Sequence, residues 1–513
     1  MINKLEAKRL QIQSDLDKIK TLAERNRLGQ FATPGALAQE ILSYAKSKVN
    51  DGDLIKFLDP AVGSGAFYSA LISVFDNKKI ELANAFEIDS HYSIPAQEIW
   101  SSQGLKITHG DFTKSEPEAS YNLIICNPPY VRHQHISAED KIRLHQRTKE
   151  ASGLKLSGLA GLYAHFLLQT HAWMAPGAIA GWLIPSEFMD VNYGRVIKKY
   201  LLQSVKLFHI HRFNPEESQF SDALVSSSIV WFKNEPPKSD NIVEFSYGGT
   251  LSSPEQAKNI KISDLLHESK WTRFPKSELK KSNITPSLKL GDFFTIKRGL
   301  ATGNNNYFIL NDKQITSLNI PLDVLKPIIP SSRYVKTNEI LSDSNGNPIN
   351  IEKLYLLDPK MDMELIQSRY PDLAAYIEYG EKMGVNNGYI CRNRKRWYDQ
   401  EQRGSAPIVC TYMGRINSKD SRPFRFIRNH SIATVANSYL AMYPKPLLQE
   451  KLNKDPGLID RIWEQLNKIS PEDLLGEGRV YGGGLYKLEP KELSQVPLSS
   501  IIDGVFTNAI TNN

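Results

Sequence analysis

The chain has 513 residues, of which 41% are hydrophobic and 23% charged, and its formal net charge is +7. These values are typical of a globular protein and exclude wholesale disorder, a collagen-like repeat and a bundle of membrane helices. At about 150 residues per domain, the length predicts two to four domains. No signal peptide is expected, and three cysteines without a CxxC pair predict neither a disulfide framework nor a cysteine zinc site. We therefore expect a protein of the reducing cytoplasm.

The predicted elements begin with a helix over residues 1–28, in which Leu5, Ile12 and Ile19 recur at every seventh position. The companion heptad positions are polar, so this helix is expected to pack on its own domain and not to form a coiled coil. Strand-like and helix-like segments then alternate over residues 29–235, which predicts an α/β fold with a doubly wound, mostly parallel sheet. The predicted strands span 54–60, 81–89, 122–130, 179–185, 207–213 and 226–232.

Residues 236–290 are polar and rich in turn residues, and they are predicted to be a connector to a mixed α+β domain over 291–513. Within that second domain, residues 391–430 hold ten basic and three acidic residues, an excess equal to the net charge of the whole chain. Arginines interleaved with aromatic residues suit a nucleic-acid surface, although a solvated basic loop is the alternative. The candidate contacts are Arg392, Arg394, Lys395, Arg396, Trp397, Arg415, Arg425 and Arg428.

A glycine-rich turn, LDPAVGSGAF (58–67), follows the first predicted strand. Gly63 and Gly65 allow a tight turn and the close approach of a ligand to the backbone. The turn lacks the GKS or GKT of a phosphate-binding loop, and Tyr68 stands where a dinucleotide fingerprint has its third glycine. We therefore expect a ligand without a pyrophosphate.

Acidic residues end the next two predicted strands in chain order. Glu87, in AFEID, can accept hydrogen bonds from a ribose diol, as in other doubly wound nucleoside sites. Asp111, in HGDF, can accept from an adenine amino group while Phe112 packs on the ring. A glycine turn followed by acidic residues at the next two strand ends predicts a pocket for an adenosine whose tail is not a phosphate.

The NPPY tetrapeptide at 127–130 directly follows the predicted buried strand NLIIC. Asn127 is thereby expected at the carboxyl edge of the sheet, where such folds bind ligands. Pro128 and Pro129 lack N–H groups and restrict the backbone, so the Asn127 oxygen and the Pro128 carbonyl can accept both protons of one planar –NH2 group. Tyr130 offers an aromatic face beside them.

These motifs resemble those of S-adenosylmethionine-dependent amino methyltransferases, and their order resembles the gamma arrangement of adenine-N6 DNA methyltransferases from type II restriction–modification systems. GQFATPGALAQEIL (29–42) resembles the first cofactor motif of that family, and FSDALVSSSIVWF (220–232) the strand whose leading Phe stacks on the target base. By this resemblance, the catalytic residues are Asn127, Pro128, Pro129, Tyr130 and Phe220. The implied cofactor contacts are Phe31, Thr33, Pro34, Asp59, Ala61, Gly63, Gly65, Glu87, Ile88, Asp111, Phe112 and Asn127.

The resemblance implies a Rossmann-like methyltransferase domain followed by a DNA target-recognition domain. It further implies a site-specific enzyme that moves a methyl group to the N6 amine of an adenine rotated out of double-stranded DNA. A monomer on DNA is expected, with a cognate restriction endonuclease that shares the site and need not bind. One departure from the family is the long stretch over residues 131–162, where HQH (133–135) and SGLKLSGLAG (152–161) look like a mobile loop over the catalytic pocket; which of its residues contacts substrate stays open.

Other functions are compatible with parts of this pattern. NPPY also serves methyltransferases of protein glutamine and of RNA, and cytosine-N4 DNA enzymes of this type usually have Ser in place of Asn127. A catalytically silent DNA-binding protein is the non-enzymatic alternative. The two H-x-H pairs, His133 with His135 and His209 with His211, lack a third ligand at metal-site spacing, so no metal is expected.

Overall fold

The structure, a computed structural model, describes residues 2–214, 226–275, 288–416, 422–469, 474, 479–481 and 485–496. The chain forms two compact units, residues 1–281 with 481–484 and residues 282–480 with 485–513. Within the described ranges, no helix is long and apolar enough to cross a membrane.

The first unit consists of a large sheet with helices around it. Its strands are β1 (Ile55–Asp59), β2 (Ile80–Glu87), β3 (Lys106–His109), β4 (Tyr121–Cys126), β5 (Met174–Pro185), β6 (Lys206–Arg212), β7 (Ser227–Lys233), β8 (Ile242–Tyr247) and β9 (Gln256–Lys261). Its helices are α1 (Ile2–Ile19), α2 (Leu22–Leu28), α3 (Gly35–Lys46), α4 (Ala66–Val74), α5 (Ser90–Trp100), α6 (Ala138–Ser152), α7 (Leu162–Gln169), α8 (Gly194–Gln203) and α9 (Ile262–Leu265). All six predicted strands are present.

The strand order among the described residues is β3-β2-β1-β4-β5-β7-β6-β8-β9. The pairs from β3 to β5 are parallel, whereas β7 runs antiparallel between β5 and β6. The predicted α/β class and mostly parallel, doubly wound sheet are therefore confirmed. Since the chain moves outward in opposite directions from β1 and β4, the switch point of the sheet lies between these two strands, where such folds bind ligands.

The central strands are continuous apolar runs because helices cover both of their faces. In β4, Leu123, Ile124 and Ile125 are all fully buried, and in β5 Trp182 is equally buried. The helix α3 contributes one apolar side to the same core, with Leu37, Ala38, Ile41, Leu42 and Ala45 buried. This core holds the ends of β1 and β4 in a rigid frame.

The first unit differs from the sequence-based prediction at the predicted connector and at the predicted N-terminal helix. The predicted connector, 236–290, contributes β8 and β9 to the main sheet, because Val243, Phe245 and Ile260 alternate with polar residues and bury one face. The expected single helix over 1–28 is two helices, α1 and α2, and Ile19 is 71% exposed at the end of the first.

The second unit is a mixed α+β structure of smaller sheets. Its strands are β10 (Phe294–Arg298), β11 (Ile309–Asn311), β12 (Leu325–Ile329), β13 (Glu339–Ile340), β14 (Leu354–Leu357), β15 (Ile408–Thr411), β16 (Met413–Arg415), β17 (Phe426–Asn429), β18 (Thr434–Val435), β19 (Tyr439–Pro444), β20 (Arg479–Tyr481) and β21 (Leu485–Lys487). Its helices are α10 (Leu290–Phe293), α11 (Asn305–Phe308), α12 (Asp312–Ser317), α13 (Met363–Arg369), α14 (Pro371–Lys382), α15 (Tyr389–Arg392), α16 (Pro446–Lys454), α17 (Leu458–Leu466) and α18 (Pro490–Ser494).

The sheet orders among the described residues of this unit are β10-β19-β15-β17-β13, β11-β14-β12-β18 and β16-β21-β20. Its apolar residues form hydrophobic clusters of their own, one between the first of these sheets and α16 and α17, and another around α13 and α14. The predicted mixed α+β character of the second domain matches this architecture.

Candidate functional site

A cavity of about 440 Å³ lies at the carboxyl ends of the strands that flank the switch point. Its size is within the range of about 300–1,000 Å³ that is usual for small-molecule sites. The residues that follow β1, β2, β3 and β4 all contribute to its wall, and the other walls come from α1, the 28–33 segment and α6. Successive strand ends therefore converge on one site, as the order of the sequence motifs requires.

The glycine turn adopts a backbone that only glycine accepts easily. Gly63 and Gly65 have φ values of +54° and +92°, in the left-handed region. A Cβ atom on Gly65 would clash with the indole nitrogen of Trp100, which donates a 2.9 Å hydrogen bond to the carbonyl of Ser64. The Ser64 hydroxyl accepts a second bond of 2.9 Å from Arg9. The turn is thus fixed from both sides and lines the cavity.

Glu87 and Asp59 are the acids nearest to this turn. The Glu87 carboxylate accepts hydrogen bonds from the backbone N–H groups of Gly63 (3.0 Å) and Asp89 (2.9 Å), and burial raises its pKa. One oxygen of Asp59 accepts from Ala61 N at 3.1 Å, whereas its Oδ2 is buried without a partner among the described residues. Burial, and secondarily the Glu87 charge, raises the pKa of Asp59 to about 8. This acid is prepared to receive a hydrogen-bond donor.

Asp111 and Phe112 lie on the cavity wall, and both already have protein partners. Asp111 accepts from the backbone and hydroxyl of Thr113 (2.9 and 2.6 Å) and pairs with Arg143 at 3.3 Å. The Phe112 ring packs 5.4 Å from Phe166, so it belongs to the core as well as to the cavity. Ile88, also on the wall, is 65% exposed and offers an apolar surface for a ring.

Asn127 is held in one orientation by the first cofactor motif. Its Nδ2 donates to the Phe31 carbonyl at 3.0 Å and to the Thr33 hydroxyl at 3.1 Å. The amide oxygen therefore points the other way, and among the described residues it is buried without a hydrogen-bond partner. A buried, unpaired acceptor costs roughly 1–3 kcal/mol, so its position is suited to a donor from a ligand. Asn127 and Pro129 both line the cavity.

The rest of NPPY and of the upstream motif supports this arrangement. Pro128 is buried beside Asn127, and Tyr130 is 8% exposed, with its hydroxyl donating to the Leu183 carbonyl at 3.0 Å. Burial raises the pKa of Tyr130 well above its usual value. The Phe31 ring lies 5.7 Å from that of Tyr130, and the exposed Pro34 begins α3. Phe220, the predicted stacking residue, lies outside the described residues.

Sequence reasoning missed two walls of the cavity. The helix α6, in the stretch expected to be a loop over the catalytic pocket, contributes Asp140, Arg143 and Leu144. The helix α1 contributes Gln13 and Asp17. Neither set of residues sits in a recognisable motif. The amphipathic pattern of α1 was the available signal, and it was interpreted only as packing.

The charge of the cavity favours a cationic ligand. Among the described residues, the carboxylates of Asp17, Glu87, Asp111 and Asp140 line it, and Arg143, also on the wall, already pairs with the last two. S-adenosylmethionine has an adenine, a ribose diol and a positively charged sulfonium tail, and this set of acceptors and apolar surfaces fits it. Glu87, Ile88 and the glycine turn are the residues that would hold it. The strand order, this cavity and the matched methylase family support an S-adenosylmethionine-dependent methyltransferase, as predicted.

Comparison with known proteins shows two family matches. Residues 47–220 match the Eco57I restriction-modification methylase family, and residues 265–512 match the C-terminal domain of type II methyltransferase M.Eco57I. The chain is 28% identical to M.AccI of Acinetobacter calcoaceticus, over 94% of this chain and 87% of that protein. It is 25% identical to M.XamI of Xanthomonas campestris pv. amaranthicola, over 93% and 86% respectively. Both relatives are type II methyltransferases. Over most of its length the chain is therefore similar to type II restriction–modification methyltransferases.

A solved structure shares this fold over most of the chain. The type IIL restriction-modification enzyme MmeI, in complex with DNA, superimposes with a TM-score of 0.55. That likeness covers 94% of this chain and 70% of MmeI at 14% sequence identity.

In the second unit, the structure gives several of the predicted nucleic-acid contacts an internal role. Arg394 donates to the Ala301 carbonyl at 2.9 Å, and Arg396 pairs with Asp399 at 2.7 Å. The Trp397 indole donates to a carboxylate oxygen at 2.9 Å. These bonds join loop segments within the unit, because a guanidinium group with five donors can tie several carbonyls together.

Two further arginines of the basic segment are similarly engaged. Arg425 donates to the Val335 carbonyl at 2.6 Å, and Arg428, which is 9% exposed, pairs with Asp460 at 2.5 Å. Arg392, Lys395 and Arg415 are exposed at the surface of the unit. The excess positive charge of residues 391–430 is therefore partly structural, and these three exposed residues are the best placed to meet a polyanion.

No group of three His, Cys, Asp or Glu side chains could hold a metal ion in the part of the chain that the structure describes. His209 and His211, the second predicted H-x-H pair, share the Ser246 hydroxyl at 2.7 and 2.8 Å within the sheet. Burial lowers their pKa values to about 3 and about 4, so both are neutral packing residues.

Proposed function

We propose that the protein is a site-specific DNA methyltransferase that modifies the N6 amine of adenine in double-stranded DNA. One observation supports this proposal most strongly: the Asn127 amide is locked by Phe31 and Thr33 so that its unpaired oxygen is presented at the sheet edge. An exocyclic amine has two N–H donors in one plane. The Asn127 oxygen and the Pro128 carbonyl are two acceptors of the kind that such an amine requires.

The chemistry depends on making a poor nucleophile reactive. The adenine amine has its lone pair delocalised into the ring, and two acceptors fixed on its protons favour a pyramidal nitrogen with a directed lone pair. The cofactor, when bound, supplies a methyl group on a positively charged sulfur. The protein then contributes in-line positioning and stabilisation of the cationic nitrogen that develops, both of which require acceptors that are already oriented.

A neutral amide is sufficient for this role. The nitrogen that has gained a methyl group becomes strongly acidic, so its extra proton can leave to water or to a carbonyl without a dedicated strong base. Asn127 holds its orientation without a charge, and its Nδ2 bonds keep the oxygen available throughout. A charged carboxylate in its place would bring an oxygen against the Phe31 carbonyl, which cannot donate a hydrogen bond.

The target base must leave the duplex stack, at a cost of a few kcal/mol. We propose that stacking on Phe220 and Tyr130 offsets part of this cost. The second unit would act as the target-recognition domain, with Arg392, Lys395 and Arg415 on phosphates or bases. We expect a monomer on DNA in the cytoplasm of a bacterial or archaeal cell, and a cognate endonuclease that shares its site.

The alternative substrates, which are cytosine, protein glutamine and RNA, also present a planar amino nitrogen. Cytosine-N4 enzymes usually have Ser at the position of Asn127, which favours adenine. Enzymes acting on protein glutamine or RNA are typically shorter, whereas this chain has a second unit of more than 200 residues that matches the C-terminal domain of a type II methyltransferase. A silent DNA-binding protein would not need an oriented, unpaired acceptor.

Expression of the full chain in a methylation-free bacterial host tests this proposal. Sequencing of the host DNA with a readout that separates N6-methyladenine from N4-methylcytosine gives the modified atom and the target sequence together. We expect N6-methyladenine at one short sequence, and none with Asn127→Ala. N4-methylcytosine at one sequence would contradict the choice of adenine, and unmodified DNA from a folded, cofactor-binding protein would contradict the choice of DNA.

A further inference from the structure

We propose that α1 is part of the cofactor site and that Gln13 and Asp17 hydrogen-bond the nucleoside part of S-adenosylmethionine. The two residues lie four positions apart, which places them on one face of the helix. Both line the cavity, and both are poorly exposed, at 9% for Gln13 and 25% for the Asp17 side chain. This inference rests on the assignment of the cofactor.

The helix is anchored to the cofactor-binding elements on both sides of these two residues. Upstream, Arg9 donates to the hydroxyl of Ser64 in the glycine turn at 2.9 Å. Between the two residues, the His91 ring nitrogen lies 3.1 Å from the Leu16 carbonyl, and downstream Lys20 pairs with Asp89, two positions after Glu87 at the strand end. A ligand that binds between these anchors meets the face of α1 that carries Gln13 and Asp17.

The chemistry of the pair suits hydroxyl groups. The Asp17 Oδ1 atom accepts from the Gln13 amide at 2.9 Å and from the Tyr92 hydroxyl at 3.1 Å, and Tyr92 also lines the cavity. These two bonds orient the carboxylate and occupy Oδ1, whereas Oδ2, which lies 3.8 Å from the Arg25 guanidinium, can accept a further donor from a ligand. With Glu87 on another part of the wall, the cavity has two carboxylates for a vicinal diol.

Packing alone does not account for these residues. The apolar contacts of α1 with the core come from Leu5 and Ile12. Asp15, on the same helix, shows what a solvated carboxylate looks like there, since it is 55% exposed and pairs with Lys18. Asp17 is less exposed than Asp15; its Oδ2 lies 3.8 Å from the Arg25 guanidinium, and the residue also lines the cavity. The helix was not assigned to the site from sequence because a Gln and an Asp one turn apart form no motif.

Binding measurements on the full chain test the inference. The probe is sinefungin, a non-reactive analogue, titrated by calorimetry into the wild type, Gln13→Ala, Asp17→Asn and the matched control Asp15→Asn. We expect the Kd to rise about tenfold for each of the first two variants, which is the usual effect of one lost hydrogen bond to a buried partner. Asp15→Asn should bind like the wild type. Equal binding by all four proteins would overturn the inference.

Two further measurements distinguish the loss of a ligand contact from a structural defect of the variant. Adenosine should bind more tightly than 2′,3′-dideoxyadenosine, and Asp17→Asn should reduce that difference, whereas a purely structural change would weaken both ligands alike. In the wild type, sinefungin should slow amide hydrogen exchange over residues 2–19. Unchanged exchange there would count against the inference even if a variant failed to fold. If the wild type itself did not bind sinefungin, the cofactor assignment would fail, and not only this extension of it.

Discussion

Replacing Asn127 by alanine separates positioning of the substrate from binding of the cofactor. The substitution removes the only side-chain acceptor of NPPY that is buried and unpaired among the described residues. Loss of one preoriented hydrogen-bonding group that acts in the transition state costs about 2.7–4 kcal/mol, which is a factor of about 10²–10³ in the rate of methyl transfer. The affinity for the cofactor should change by less than about threefold, because its main contacts come from other strand ends.

The structure also predicts a smaller loss of methyl-transfer rate for the substitution Thr33→Val. Thr33→Val keeps the Asn127 oxygen and removes one of the two bonds, at 3.0 and 3.1 Å, that orient the amide. One such bond is worth about 1 kcal/mol, so methyl transfer should slow by at most about fivefold. The two variants therefore differ by more than an order of magnitude although they alter the same hydrogen-bonded unit.

Single-turnover transfer of a radiolabelled methyl group to a cognate duplex measures the chemical step, and calorimetry with sinefungin measures the affinity for the cofactor. The reasoning is refuted if Asn127→Ala transfers methyl groups within about threefold of the wild-type rate. It is equally refuted if the loss appears entirely in cofactor affinity, since the amide would then bind the cofactor and not orient the amine.

Three further predictions concern stability and DNA. Gly65→Ala should lower the free energy of unfolding in urea by about 2 kcal/mol or more, because its φ of +92° strains any side chain. Arg392→Ala and Lys395→Ala should each reduce, by about one, the slope of the logarithm of the duplex-binding constant against the logarithm of the salt concentration. Arg428→Ala should instead lower the melting temperature of the protein. For Asp59, whose pKa is raised to about 8, stability relative to Asp59→Asn should fall as pH rises from about 4 to 8.

Each of these predictions has a clear contrary result. A Gly65→Ala protein as stable as Gly52→Ala, where a Cβ atom meets nothing within 4 Å, would show that the turn is not strained. Salt slopes unchanged in Arg392→Ala and Lys395→Ala would remove them from the interface. Parallel pH profiles for the wild type and Asp59→Asn would mean that this carboxyl is already ionised in the free protein.

The strand ends were predictable because the relevant rule is local. A buried apolar run that ends in a polar residue places that residue at the sheet edge, and Asp59 and Asn127 lie at the ends of such runs in β1 and β4. Glu87 ends β2 and Asp111 follows β3, two strands that are only partly buried. The strands β8 and β9 were not predicted because they lack a continuous buried apolar run. They lie at the edge of the sheet, and polar residues such as Lys258 interrupt their apolar pattern.

Long-range pairing was beyond sequence reasoning. Arg143 and Asp111 are 32 residues apart, and nothing in either segment indicates that they meet. Similarly, Arg392 and Arg428 look alike in a basic segment, yet the first is exposed and the second is buried against Asp460. The composition gives only the total charge. The fold determines which guanidinium groups form hydrogen bonds or ion pairs with carbonyls and carboxylates of the chain itself.

The separation of the hydrophobic clusters has a consequence for how such a chain diversifies. The large cluster lies wholly before residue 282, and the smaller clusters lie wholly after it. An exchange of genetic segments near that boundary would cut through none of them. We therefore expect hybrids that join this first unit to the second unit of a relative to remain foldable. Under the proposed function, new DNA targets can then arise by recombination more readily than by gradual substitution.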